Sequence, residues 1–95
     1  MAAYLIADVN VTDPAVYERY RQGVPATIAA YGGRYLARGG RTEVLEGDWQ
    51  PHRVVILEFP SMARLQEWYR SPDYAPLAAL RQASASSTVV VTEGL

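Results

Sequence analysis

The chain has 95 residues, 49% of them hydrophobic and 20% charged, the balance of one small soluble globular domain, taken as residues 1–95. A formal net charge of -1 supplies no positive field for phosphates or an anionic bilayer, so nucleic acid and membrane are set aside as partners. With no cysteine there is no disulfide framework, thiol nucleophile or thiolate metal site.

All nine basic residues are arginine, a bias that reflects base composition more often than selection for bidentate anion recognition. A domain this short buries only about 60% of its unfolded surface, which makes burial against a second subunit favourable. The N-terminal Met1-Ala2-Ala3-Tyr4-Leu5-Ile6 has no basic region and its apolar run stops at Asp8, so it reads as neither a signal peptide nor a membrane span. The expected location is the cytoplasm.

Tyr4 to Val11 alternates, with Leu5, Ala7, Val9 and Val11 on one face and Tyr4, Ile6, Asp8 and Asn10 on the other, and reads as the first strand. Thr12-Asp13-Pro14 offers a capping side chain and then proline at the first helical position. In the helix that follows, Val16, Tyr20, Val24, Ile28 and Tyr31 form the expected buried stripe. Gly23 and Pro25 predict a kink or restart near Val24, and Gly32-Gly33 the left-handed C-terminal cap.

Arg34 to Glu46 reads as one extended strand bent at Gly39-Gly40. Turn residues Gly47 to Pro51 then lead to a strong strand at Arg53 to Phe59, making a hairpin. Pro60-Ser61 ends that strand and caps a short helix from Met62 to about Arg70, with Met62, Leu65, Trp68 and Tyr69 facing the core. Ser71-Pro72 repeats the signal, so a second helical piece is expected through Tyr74, Leu77, Leu80 and Arg81. Ser84 to Ser87 reads as a polar linker into a last strand at Thr88 to Glu93.

The order strand, helix, strand, strand, helix, strand is the α+β, ferredoxin-like βαββαβ arrangement: a four-stranded antiparallel sheet with two helices on one face, the second broken. By alternation the uncovered face carries Ile6, Val54, Ile56 and Val90 beside Asp8, Glu58, Thr88 and Thr92. Such a face is too apolar to be wholly wet, and an isologous two-fold contact covers it. A homodimer built sheet against sheet is expected. On that face Asp8 would need a cation from its own or the partner sheet.

Several spaced segments now agree with one family: Gly32 to Gly40, Leu45 to Trp49, Arg53 to Ser61, and Trp68-Tyr69-Arg70-Ser71-Pro72-Asp73-Tyr74. From Tyr4 to Gly94 the chain resembles the family called domain of unknown function 1330. That resemblance implies the dimeric α+β barrel group, whose members include cofactor-free monooxygenases, isomerases, lactone-forming enzymes, haem enzymes and ligand-sensing domains. Fold does not choose among these. The family has a basic residue, rather than a required histidine, where this chain has His52.

His52 is the only histidine, has no ligand-spaced partners and reads as a surface or structural residue. The serines read as caps and linker, and the paired glycines lack the lysine of a phosphate loop. Neither a metal nor a cofactor is implied. The candidates with chemistry are Arg38, Glu46, Arg53, Glu58, Trp68, Tyr69, Tyr74 and Arg81. Of these, Tyr69, Tyr74 and Glu58 are the candidate proton-transfer groups, and Arg38, Arg53, Trp68 and Arg81 the candidate substrate-binding groups. Arginine holds a carboxylate or enolate through parallel N–H bonds, tyrosine donates a proton or a hydrogen bond, and tryptophan supplies an apolar wall.

Such a set suits a small oxygenated organic compound, held between the sheet and the broken helix or at the dimer seam. The set is equally open to a structural reading, with Trp68 and Tyr69 in the core and Arg38, Arg53 and Glu58 paired. Three functions follow: a cofactor-independent oxygenase or isomerase, a non-catalytic ligand-sensing module, or a dimeric interaction module.

Overall fold

The computed structural model describes all residues, Met1–Leu95. Its elements run β1 (Ala3–Val11), α1 (Pro14–Ala30), β2 (Arg34–Arg38), β3 (Val54–Phe59), α2 (Met62–Tyr69), α3 (Ala75–Ser84) and β4 (Ala85–Glu93). The four strands form one sheet in the order β2-β3-β1-β4 with every neighbour antiparallel, which is the ferredoxin-like topology. Alternation along the central strand β1 buries Ala3, Leu5, Ala7 and Val9 under the helices. They join Tyr17, Val24 and Ile28 of α1, Leu57 and Phe59 of β3, and Leu65, Trp68 and Tyr74 in one core.

Helix α1 starts where its cap dictates, with Asp13 Oδ1 accepting from the Val16 N–H at 3.3 Å and Pro14 in the first turn. It is continuous across Gly23 and Pro25, so no restart occurs near Val24. Proline removes one rung of the ladder, but Val24 and Ile28 on either side are anchored against the sheet. Gly23 serves packing instead: a Cβ there would lie 2.7 Å from Leu77 Cδ2, so its absence lets α3 approach α1. The helix ends in a Schellman cap. Gly32 at φ 80° donates to Ala29 O and Gly33 to Ile28 O, both at 3.0 Å.

Three boundaries depart from the sequence pattern. Strand β2 stops at Arg38 and does not continue to Glu46, because its partner β3 begins only at Val54 and offers nothing opposite the later residues. The register shift lies between Tyr35 and Ala37, and the chain bends at Gly39, φ 71°, just past the end of the strand. Second, Ser71 does not start α3. Its Oγ donates to Trp68 O at 2.8 Å and accepts from Tyr74 N at 3.1 Å, closing a single turn before the helix begins at Ala75.

Third, no linker precedes β4: Ala85, Ser86 and Ser87 already pair with Val11, Asn10 and Val9. The carbonyl of Ser84 accepts from Thr12 N and Asp13 N at 2.8 and 3.0 Å. That clamp holds the end of α3 against the start of α1, so β4 enters the sheet in register at once.

The sheet face opposite the helices carries Tyr4, Ile6, Val54, Ile56 and Val90, with Val90 53% exposed. No helix is long and apolar enough to cross a membrane.

Candidate functional site

Between the helices and the covered face of the sheet lies a narrow pocket of about 40 Å³. Strands β1, β3 and β4 give it an aliphatic floor of Leu5, Ala7, Val9, Val55, Leu57 and Val89. Helix α1 adds Tyr17, Tyr20, Arg21, Val24 and Ile28; β2 adds Tyr35 and Arg38. Arg53 enters from the residue before β3, Trp68 and Tyr69 from the last turn of α2, Tyr74 from the turn after it, and Arg81 from α3. The broken second helix is what brings the last four together: the Ser71 turn reverses the chain so that Tyr74 stacks back on Trp68, ring centroids 4.2 Å apart.

The rings form a continuous wall. Tyr69 lies 5.6 Å from Tyr74 and 6.0 Å from Trp68, and Phe59 backs Trp68 at 5.3 Å. Trp68 is fixed by its Nε1, which donates to Thr27 Oγ1 at 3.0 Å, and Thr27 in turn donates to Val24 O. Across the pocket the hydroxyls of Tyr20 and Tyr74 are 3.0 Å apart. Burial, reinforced by Tyr74, pushes the Tyr20 hydroxyl far above its ordinary value, so it stays protonated. Burial likewise raises Tyr35, with the nearby Arg38 opposing.

Four arginines are the only charged groups in the lining. Arg38 sits over the Tyr35 ring at 5.0 Å and Arg53 over Tyr17 at 5.9 Å. Arg81 is 7% exposed and takes part in no ion pair. Its burial works against the charge, but the hydroxyls of Tyr74, Tyr20 and Tyr69 around it outweigh that effect and its pKa is raised. Beyond Tyr69 the pocket adjoins an open groove of about 250 Å³, which shares Leu5, Tyr69 and Val89 with it and adds Leu65, Gln66, Arg70 and Val91.

Of the residues singled out in the sequence, Arg38, Arg53, Trp68, Tyr69, Tyr74 and Arg81 converge here. Glu58 does not. It lies on the opposite face of the sheet, where its Oε1 accepts from Arg34 Nε at 2.7 Å, because its neighbours Leu57 and Phe59 point inward. Pairing of Glu58 with Arg38 or Arg53 is therefore replaced by pairing with Arg34. Glu46 is exposed in the 39–53 connection. Tyr69 is 41% exposed at the pocket mouth rather than in the core.

Asp8 needs no cation: its carboxylate accepts from His52 N at 2.8 Å, Arg53 N at 3.2 Å and Trp49 Nε1 at 3.1 Å. The His52 backbone bond leads the effects that hold its pKa below the ordinary 3.8. His52 thus serves a loop anchor, its ring Nδ1 3.7 Å from Asp8 Oδ2. Residues missed by sequence reasoning are Tyr17, Arg21 and Tyr35. Tyr17 and Arg21 are one turn apart and share with Val24 and Ile28 the stripe that actually faces the sheet, a spacing visible in the sequence. No three His, Cys, Asp or Glu side chains gather as metal ligands.

Comparison with known proteins places this architecture. A family model described as domain of unknown function (DUF1330) matches residues 2–95. No curated protein matches the chain. Among solved structures, a protein of unknown function from Rhodopseudomonas palustris is 22% identical over 99% of this chain and 82% of its own, with a TM-score of 0.81. SnoaB, a cofactor-independent oxygenase from Streptomyces nogalater, is 13% identical over 99% of this chain and 93% of its own, TM-score 0.67. A dimeric ferredoxin-like protein of unknown function from Jannaschia sp. CCS1 is 15% identical over 99% of this chain and 100% of its own, also at 0.67. At these identities the likeness is one of fold.

Proposed function

Because the chain belongs to the family described as domain of unknown function 1330, a description that names no reaction, we propose its function from its own geometry: a homodimer that binds a small oxygenated organic compound in the pocket of each subunit. The observation that carries this is the convergence of tyrosine hydroxyls, a tryptophan wall and arginine donors on one cavity from separate elements. Aromatic faces take a flat carbon skeleton, and the donors take its oxygens. The pairing of subunits is supported by the aliphatic residues on the uncovered sheet face and by the dimeric ferredoxin-like protein of the same fold.

Two fates of the ligand have separate support. Cofactor-free turnover of oxygenase or isomerase type is supported by the fold likeness to SnoaB and by a lining that stabilises negative charge: arginines hold a developing oxyanion while Tyr69 or Tyr74 supplies a proton or hydrogen bond. Binding without chemistry, as in a sensing module, is supported by the lack of any carboxylate or histidine in the lining to act as general base near neutral pH. In the first case the substrate must arrive as, or readily become, an anion.

A panel of quinols and small oxygenated metabolites, assayed for thermal stabilisation and turnover with wild type, Tyr69→Phe, Tyr74→Phe and Arg38→Ala, separates the two. Turnover that falls in these variants identifies an enzyme. Stabilisation without turnover identifies a binding module, and neither response from any compound contradicts the pocket's assignment.

A further inference from the structure

The pocket's charges do not balance. Four arginines line it and no aspartate or glutamate does; Arg21 is paired outside the lining with Glu18 at 3.2 Å, which leaves Arg38, Arg53 and Arg81 without an ion pair. Of the acids on the adjoining strands, Glu58 is engaged with Arg34 on the far face of the sheet and Asp8 with the loop before β3. Arg81 is 7% exposed without an ion pair, and around it stand phenols, which offer dipoles and no charge. The Nε of Arg53 is also buried with no acceptor. A guanidinium held out of water with no counter-ion works against folding, and such groups gather where a ligand supplies the missing charge.

Resting on the small-molecule reading above, we propose that the ligand is an organic monoanion, a carboxylate or an enolate on a flat unsaturated body, whose oxygens take the donors of Arg81. Planar, delocalised oxyanions match the guanidinium fork. The remaining 14 lining residues are hydrophobic, a poor exchange for the water around inorganic phosphate. Tyr69, 41% exposed at the mouth and backed by Trp68 and Tyr74 at 6.0 and 5.6 Å, offers its ring to a flat body. The narrow pocket of about 40 Å³ takes the charged head, and the body passes Tyr69 into the adjoining groove of about 250 Å³.

The test is calorimetric and thermal titration of the full chain with benzoate, 4-nitrophenolate as the enolate-like probe, neutral benzamide and inorganic phosphate, using wild type, Arg81→Met and the rim variant Arg38→Gln. One of the two organic anions is expected to saturate and raise Tm, identifying the head group, with benzamide weaker by about tenfold or more, the worth of a charge-assisted pair. Arg81→Met is expected to lose that preference yet melt no lower than wild type without ligand, since methionine relieves an unpaired buried charge. Arg38→Gln, at the exposed rim, is expected to weaken the anion without lowering Tm.

Benzamide binding as tightly as the anions overturns the anionic class and leaves the small-molecule reading standing. Phosphate outcompeting both organic anions overturns the organic head group. An Arg81→Met protein that keeps full anion affinity, or one that melts well below wild type, overturns the anchoring role of Arg81. If none of the four probes binds, the monoanion proposal falls, while the metabolite panel above still decides the broader reading.

Discussion

Tyr20 and Tyr74 lie 54 residues apart in sequence, and their hydroxyls meet at 3.0 Å inside the pocket. The contact ties α1 to the turn between α2 and α3, the two segments whose side chains close over the sheet. Tyr74 is 2% exposed, so removing either hydroxyl leaves the other short of a partner in a poorly solvated place. Tyr20→Phe and Tyr74→Phe are each expected to lower stability by about 1 kcal/mol. The double variant is expected to fall short of the sum by about 0.5–1.5 kcal/mol, read from urea unfolding as a double-mutant cycle.

Trp68 is the keystone of the aromatic wall, 1% exposed between Phe59 and Tyr74 with its indole N–H on Thr27. Trp68→Ala is expected to lower unfolding free energy by about 3–5 kcal/mol. Trp68→Phe, which keeps most of the ring, is expected to cost less and to preserve ligand-induced stabilisation. The comparison separates packing from binding in one pair of melts.

Much of this arrangement is legible in the chain. Asp13 and Ser61 mark helix starts by capping chemistry that acts within three residues, and the structure keeps both. Alternation through Leu57-Glu58-Phe59 already sets Glu58 on the side away from the helices, so its chemical type misleads while its position does not. What local pattern does not reveal is pairing. Residues 41–46 have the look of a strand, yet whether they join a sheet depends on what lies opposite, and β3 begins too late to meet them. The unpaired state of Arg81 is similarly invisible, since it follows from which acids the fold sends to the other face.

The proposed subunit pairing would use the uncovered face. Val90 is 53% exposed in the subunit, so Val90→Asp disturbs no core contact and leaves the fold intact. Across a two-fold contact it buries two unpaired carboxylates, each worth about 3–5 kcal/mol against association. The variant is expected to sediment as a folded monomer where wild type sediments as a dimer. A Val90→Asp protein that remains dimeric would place the interface elsewhere.

Asp8 fixes the end of the 39–53 connection by accepting from His52 N, Arg53 N and Trp49 Nε1, and so positions Arg53 at the pocket. Its folded pKa is depressed below 3.8, chiefly by the His52 backbone bond. A depressed carboxylate contributes its stabilisation above the ordinary value and loses it as pH falls through the lowered one. Asp8→Ala is expected to speed amide exchange at His52 and Arg53 at neutral pH. The stability difference between variant and wild type should shrink only as the solution is acidified below 3.8.

The most direct measurement is a crystal structure of the protein grown with salicylate, whose carboxylate and flat ring meet both halves of the pocket. Electron density for its carboxylate within hydrogen-bond distance of the Arg81 guanidinium, with the ring against Trp68 or Tyr69, is the expected result. Salicylate bound only outside the pocket, with Arg81 instead paired to a carboxylate of the protein, would contradict it.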